Sequence, residues 1–308
     1  AYVARGSAVF DNNGAGVRFN GSLNATDRNC KITYCDMGLQ GNDRETATIE
    51  HSEIAFNGTK DFDGYSHNFY MMGNAVTVRQ CWIHDALFGQ CYKSRAHYNE
   101  LWYNYICDSA EGEICLIDHK GDTDRPDSNS VLVGNVVVSK DRGGSRNASK
   151  YIDFGTDTGA PHLGTLYCFN NTFIAGTPRI TFVGLSTSDV KAVLINNIFN
   201  GSGKLAGGKS SDVKGSHNVC GGGANLPAAL ANTIKSDTPG FADAAQRNFH
   251  LRPGAPCLNA GAPADKLVFR NGAGKELTAS VDRQPLIPLG SEPRPPKKAA
   301  LDIGAYGQ

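Results

Sequence analysis

From residue 31 to residue 203 the chain repeats one phrase: a short run with apolar residues at alternate positions, a polar or small corner, a second short run, then Gly, Asn or Asp. The copies are KITYCDMGLQGN at 31–42, ATIEHSEIAFNG at 47–58, AVTVRQCWIHDA at 75–86, ELWYNYICDSAEG at 100–112, SVLVGNVVVSKDRG at 130–143, TLYCFNNTFIAG at 165–176 and AVLINNIFNGSG at 192–203. Alternation at a period of two marks strands. A repeated unit that cannot bury its own apolar face gains a core only by stacking on its neighbours. The uneven spacing of the corners fits coils of a parallel β-helix with loops of variable length. A leucine-rich or helical repeat would be more regular. Asn104, Asn135, Asn171 and Asn197 sit at corners, where amides can ladder along the axis, so their role is expected to be structural.

After about residue 204 the pattern decays, and PAALANTIKS at 227–236 predicts a short helix. Two alternating runs, NFHLR at 248–252 and LDIGAYG at 301–307, flank the Pro-rich basic stretch SEPRPPKK. The expectation is an all-β single domain, a right-handed parallel β-helix over 1–235, with 236–308 forming irregular closing coils and a tail packed on the same solenoid and protecting its end.

Composition sharpens this picture. The 36 glycines and 25 asparagines disfavour helices and favour sharp corners. Thirty basic residues balance thirty acidic ones, which argues against nucleic acid as a partner. No apolar stretch is long enough to span a bilayer, and AYVARGSAVF lacks the parts of an export signal. The chain is therefore expected to be soluble, without membrane association, and monomeric. Nine cysteines permit an oxidising compartment without requiring one. Cys81 and Cys107, like Cys91 and Cys115, stand about one coil apart and are expected to stack near the core, not to bind metal.

Reactive side chains are densest in DFDGYSHNFYMMG at 61–73, GQCYKSRAHY at 89–98 and AEGEICLIDHKGD at 110–122. In CYKSRA, inward Tyr92 and Ser94 leave Lys93 and Arg95 outward, about 7 Å apart. Two cations so close repel unless an anion lies between or beside them. A uniform coil of about 25 residues aligns Asn68, Lys93 and Asp118 in one outer row and Tyr70, Arg95 and Lys120 in the next. Asp153, in YIDFGTD, then extends the first row. A slip of one residue brings His67 into these rows instead. The bland interpretation is a solvated salt-bridge ladder of little energetic effect; the sharper one is an anion-binding groove with acid–base groups, and the co-location of His67, Tyr70, Lys93, Arg95, Asp118 and His119 favours it.

The repeat phrase, HNFY, KSRA, and the tail NFHLRPGAPCLNAGAP followed by DIGAYG resemble bacterial right-handed parallel β-helix proteins of the pectate-lyase-like superfamily, over most of the chain. The resemblance implies a secreted or periplasmic protein with a polysaccharide partner and, for many members, cleavage of an acidic, uronate-containing chain by β-elimination. That chemistry needs a carboxylate neutraliser, a base for the C5 proton and an acid for the leaving oxygen. Carried onto this chain, Lys93 is the base, its pKa lowered by Arg95 and partial burial. Arg95 grips the carboxylate or stands near the leaving oxygen, and His67 or Tyr70 donates the proton. Asp118 orients Lys93 or binds a metal, with Glu111 and Glu113 as alternative oxygen ligands. Asn68, His119, Lys120 and Asp153 remain as substrate contacts. Calcium is the one cofactor considered, and no metal site is assigned. The NTD, DD and GHG set of polygalacturonases and the DPHD segment of mannuronan epimerases are absent. The rival enzyme is a glycoside hydrolase using Asp118 with Asp153 or Asp157; the rival without chemistry is a glycan-binding or surface β-helix.

Overall fold

The computed structural model describes residues 3–4, 14–21, 23–42, 46–60, 65–142, 150–176, 180–297 and 299–308. Parts of the 61–73 and 130–143 segments singled out above lie outside this set. Stacked coils of three short strands build a right-handed parallel β-helix with three long parallel sheets. The first sheet has ten strands, from Val3–Ala4 to Ile234–Lys235. The second has eight, from Ala15–Asn20 to Gly203–Gly208, and the third nine, from Asn24–Arg28 to Leu230–Ala231. Among the described residues there is no α-helix.

Alternation creates the core. Along the first sheet Ile32, Ile54, Ile83, Ile106, Val137, Phe173 and Phe199 pair in register, coil upon coil. All are fully buried, each contributing about 1.5–3 kcal/mol of apolar burial relative to exposure.

The corner from third to first sheet explains the asparagines. A left-handed residue such as Tyr103, Gly134, Asn170 or Asn196 turns the chain, and the next residue is Asn104, Asn135, Asn171 or Asn197. Each side-chain oxygen accepts from the backbone N–H and amide of the preceding coil: Asn104 to Asn135, Asn135 to Asn171, Asn171 to Asn197, all at 2.9–3.0 Å. Asn135 Nδ2 also satisfies the Leu101 carbonyl. Asn135→Ala orphans that carbonyl and the Asn104 N–H, so it is expected to cost about 2–4 kcal/mol, read as a lower denaturant midpoint with an unchanged m-value.

Three expectations are corrected. The helix at 227–236 is replaced by strands Leu230–Ala231 and Ile234–Lys235. They add to the parallel sheets, and Asn232 between them is left-handed, which ends any helix. Cys107 pairs across the ladder with His84, and Cys115 with Lys93, so neither cysteine pair stacks, and Cys81, Cys91, Cys107 and Cys115 are all free thiols. Beyond Lys235 the strands pair as three antiparallel hairpins and not as further coils.

Those hairpins position the site by covering the other faces. Phe241, Phe249, Leu251, Ile303 and Tyr306 pack against Tyr105, Val136, Val138 and Ile198 of the first sheet. Leu267, Phe269, Ala279 and Leu301 pack against Val131, Val133, Tyr167 and Phe169 of the third. The second sheet contributes no residue to either cluster. Its outer face is the one the tail leaves uncovered.

Candidate active site

Strand Tyr92–Ser94 lies in the second sheet with Tyr92 and Ser94 in the core. Lys93 is directed outward, and Arg95 follows. The outer row set by strand pairing is Tyr70, Lys93, Cys115, Asp153, Gly184, Gly207. It is not the row Asn68, Lys93, Asp118. Tyr70 and Lys93 are 23 residues apart and Lys93 and Cys115 are 22 apart, so a uniform longer coil misplaces both neighbours of Lys93.

The anion that the two cations require is Asp157. Its carboxylate takes both ends of the Arg95 guanidinium, at 2.8 and 3.0 Å, and lies 3.5 Å from Lys93 Nζ. Arg95 Nε donates to the Tyr70 hydroxyl at 3.0 Å, and its Nη1 to the Asp118 carbonyl at 2.6 Å. The Tyr70 ring stands 5.8 Å from both cations and 5.8 Å from the His67 ring. Lys93 and Arg95 are each 8% exposed, so this is not a solvated ladder. The pair is desolvated, and its charge is offset by Asp157 together with Asp118, whose Oδ1 lies 3.8 Å from Arg95 Nη1.

His67 is buried. Burial first, then the charges of Lys93 and Arg95, hold its pKa well below 6.5, so the ring is neutral at physiological pH. Its Nδ1 accepts from the Gln90 N–H at 3.2 Å, which places the proton on Nε2. Gly89 permits this approach: a side chain there would collide with the Ser66 carbonyl and His67 Nδ1.

Asp118 stands beside Arg95 as part of the scaffold, its Oδ1 3.8 Å from Arg95 Nη1. Its side chain is fully buried. Oδ1 accepts from the N–H groups of Asp157 and Thr158, and Oδ2 from the Thr158 hydroxyl and the Ala160 N–H. Burial pushes its pKa up, but these hydrogen bonds outweigh it and hold the carboxyl well below the usual range. Asp118 therefore fixes the loop that presents Asp157 to Arg95.

The remaining predicted contacts divide. Asn68 is a buried corner residue that accepts from Asn57 and donates to the His84 carbonyl. His119 is held by Asp122 at 2.9 Å, and Lys120 is an exposed turn residue; neither lines the cleft. Glu113 is buried against Arg142, where burial raises its pKa to about 7 against the pull of Arg142. It cannot serve as an open metal ligand. Among the described residues no three His, Cys, Asp or Glu side chains converge on a metal position.

A cleft of about 190 Å³ opens beside Lys93, lined also by Glu111, Cys115, Lys150, Asp153 and Asp157. Glu111 accepts from Gln90 Nε2 at 2.5 Å, and Lys150 holds Asp153 at 2.6 Å. Gln90 and Lys150 were not expected here, and Cys115 was expected only near the core. For Lys150 the available signal was its position three residues before Asp153; for Gln90 there was none. Together the residues define a parallel β-helix protein with one desolvated, cation-centred cleft on its uncovered sheet. Comparison of the chain with protein-family models, curated proteins and solved structures finds no match in any of the three.

Proposed function

We propose that the uncovered face binds an acidic, uronate-containing polysaccharide and cleaves it by β-elimination, as an exported, monomeric lyase of the pectate-lyase-like kind. The observation that carries this reading is the Asp157 carboxylate held by Arg95 and Lys93 together. It occupies a position in which a substrate carboxylate can be bound, and it is partly exposed, so the two can exchange. Arg95 then neutralises the carboxylate and favours loss of the C5 proton. Lys93 is the general base that takes that proton. The C4–C5 double bond forms as the C4–O4 bond breaks, and Tyr70, bonded to Arg95 through its hydroxyl, protonates the leaving oxygen. Neutral His67 packs beside the Tyr70 ring.

Asp153 and Asp157 line the same cleft, and this favours a carboxylate hydrolase as the second reading. One assay separates them. A lyase acting on pectate, alginate or hyaluronan yields an unsaturated, ultraviolet-absorbing product. Reducing ends without absorbance would instead place the chemistry on the carboxylates, and a glycan-binding protein would release neither.

A further inference from the structure

The outer row does not stop at the reactive cluster. Asp153, 7% exposed, spends Oδ2 on Lys150 at 2.6 Å, while its buried Oδ1 has no hydrogen-bond partner. Such an acceptor costs roughly 1–3 kcal/mol if left dry. It faces a gap beside the next row position, Gly184, where a Cβ would crowd the Ile152 carbonyl at 3.3 Å and stand 3.7 Å from Asp153 Oδ1. Asp153 and Lys150 line both the cleft beside Lys93 and a second one, of about 240 Å³, over Gly184. That second cleft shares Lys204, Gly207 and Gly208 with a third of about 570 Å³.

The glycines are not all demanded by the backbone. Gly208 is left-handed, and a side chain there would strike the Leu185 carbonyl. Gly207 is not left-handed, and a Cβ would meet only Lys204 and Thr181 side-chain atoms at 3.6 and 3.7 Å. Its missing side chain leaves the trough unobstructed without being required for the turn. From the strand of Lys93 to that of Lys204 are four steps of about 4.8 Å, roughly 19 Å, the length of several linked sugar rings.

We propose that Asp153 Oδ1 accepts a hydroxyl of the bound glycan, and that the glycan continues along the solenoid axis over Gly184 and Gly207 to Lys204. This rests on the reading of the face as a uronate-binding site and adds that the site measures chain length on the Asp153 side. The probes are di- and hexasaccharides of galacturonate and of mannuronate, titrated calorimetrically against wild type, Gly184→Val, Gly207→Trp and Gly207→Ala. Gly184→Val and Gly207→Trp are expected to weaken the hexasaccharide about tenfold or more. Gly207→Trp leaves the disaccharide unchanged, and Gly207→Ala matches wild type for both. Hexasaccharide affinity unaltered in Gly207→Trp, or both lengths weakened alike, overturns the trough while leaving the uronate site standing. If wild type binds neither length of either sugar, the functional reading falls and takes this inference with it.

Discussion

Lys93→Ala is expected to lower the rate of unsaturated-product formation by about 10²–10⁴-fold, the usual contribution of a positioned proton-transfer group. Loss of scaffolding would not produce this result. Arg95 keeps its bidentate hold on Asp157 and its bond to the Asp118 carbonyl without Lys93, so the loop and the cleft survive the truncation. The melting temperature should therefore stay close to wild type while the rate collapses. Arg95→Ala is expected to behave differently, because it removes the carboxylate partner and leaves Asp157 facing Lys93 alone: both kcat and KM suffer. Equal loss of rate and of thermal stability in Lys93→Ala would mark Lys93 as part of a buried ion cluster with no chemical role.

Asp118→Ala should be the most destabilising single change on this face. The carboxylate accepts three backbone N–H bonds and one hydroxyl bond from residues 157–160, and alanine releases those donors, which sit in a largely exposed loop, to solvent. At about 0.5–1.5 kcal/mol net for each hydrogen bond exchanged for water, the cost is about 2–4 kcal/mol in urea unfolding. The depressed pKa gives this stabilisation a pH dependence. It is fully present above the unfolded-state value of roughly 3.9 and is lost as pH falls toward the lower folded value. Wild type should accordingly lose stability more steeply than Asp118→Ala on acidification below about pH 4. Parallel acid profiles for the two proteins would remove Asp118 from its scaffold role.

These two residues show what was legible in advance. The alternation in CYKSRA placed Lys93 and Arg95 outward from one strand, and electrostatics demanded an anion near them. Which anion was not legible, because Asp157 reaches Arg95 across 62 positions of chain. Asp118 was legible as a member of this neighbourhood, but the hydrogen bonds it takes from a loop forty residues downstream were not. Asn68 drew attention because a coil of about 25 residues aligned it with Lys93, yet it serves a corner as Asn135 does.

The sequence by itself determined the solenoid, since a strand period, a repeated corner and a recurrent asparagine are local properties that each coil carries within itself. It also determined that two cations share one outer surface. Tertiary structure decided the row in which they stand, because lateral neighbours in a parallel stack are set by the length of every intervening loop, and coils of 22 and 23 residues shift each neighbour of Lys93. It decided too which sheet remains uncovered: the C-terminal hairpins bury the apolar outer faces of the first and third sheets, a choice made by long-range packing that no single segment encodes.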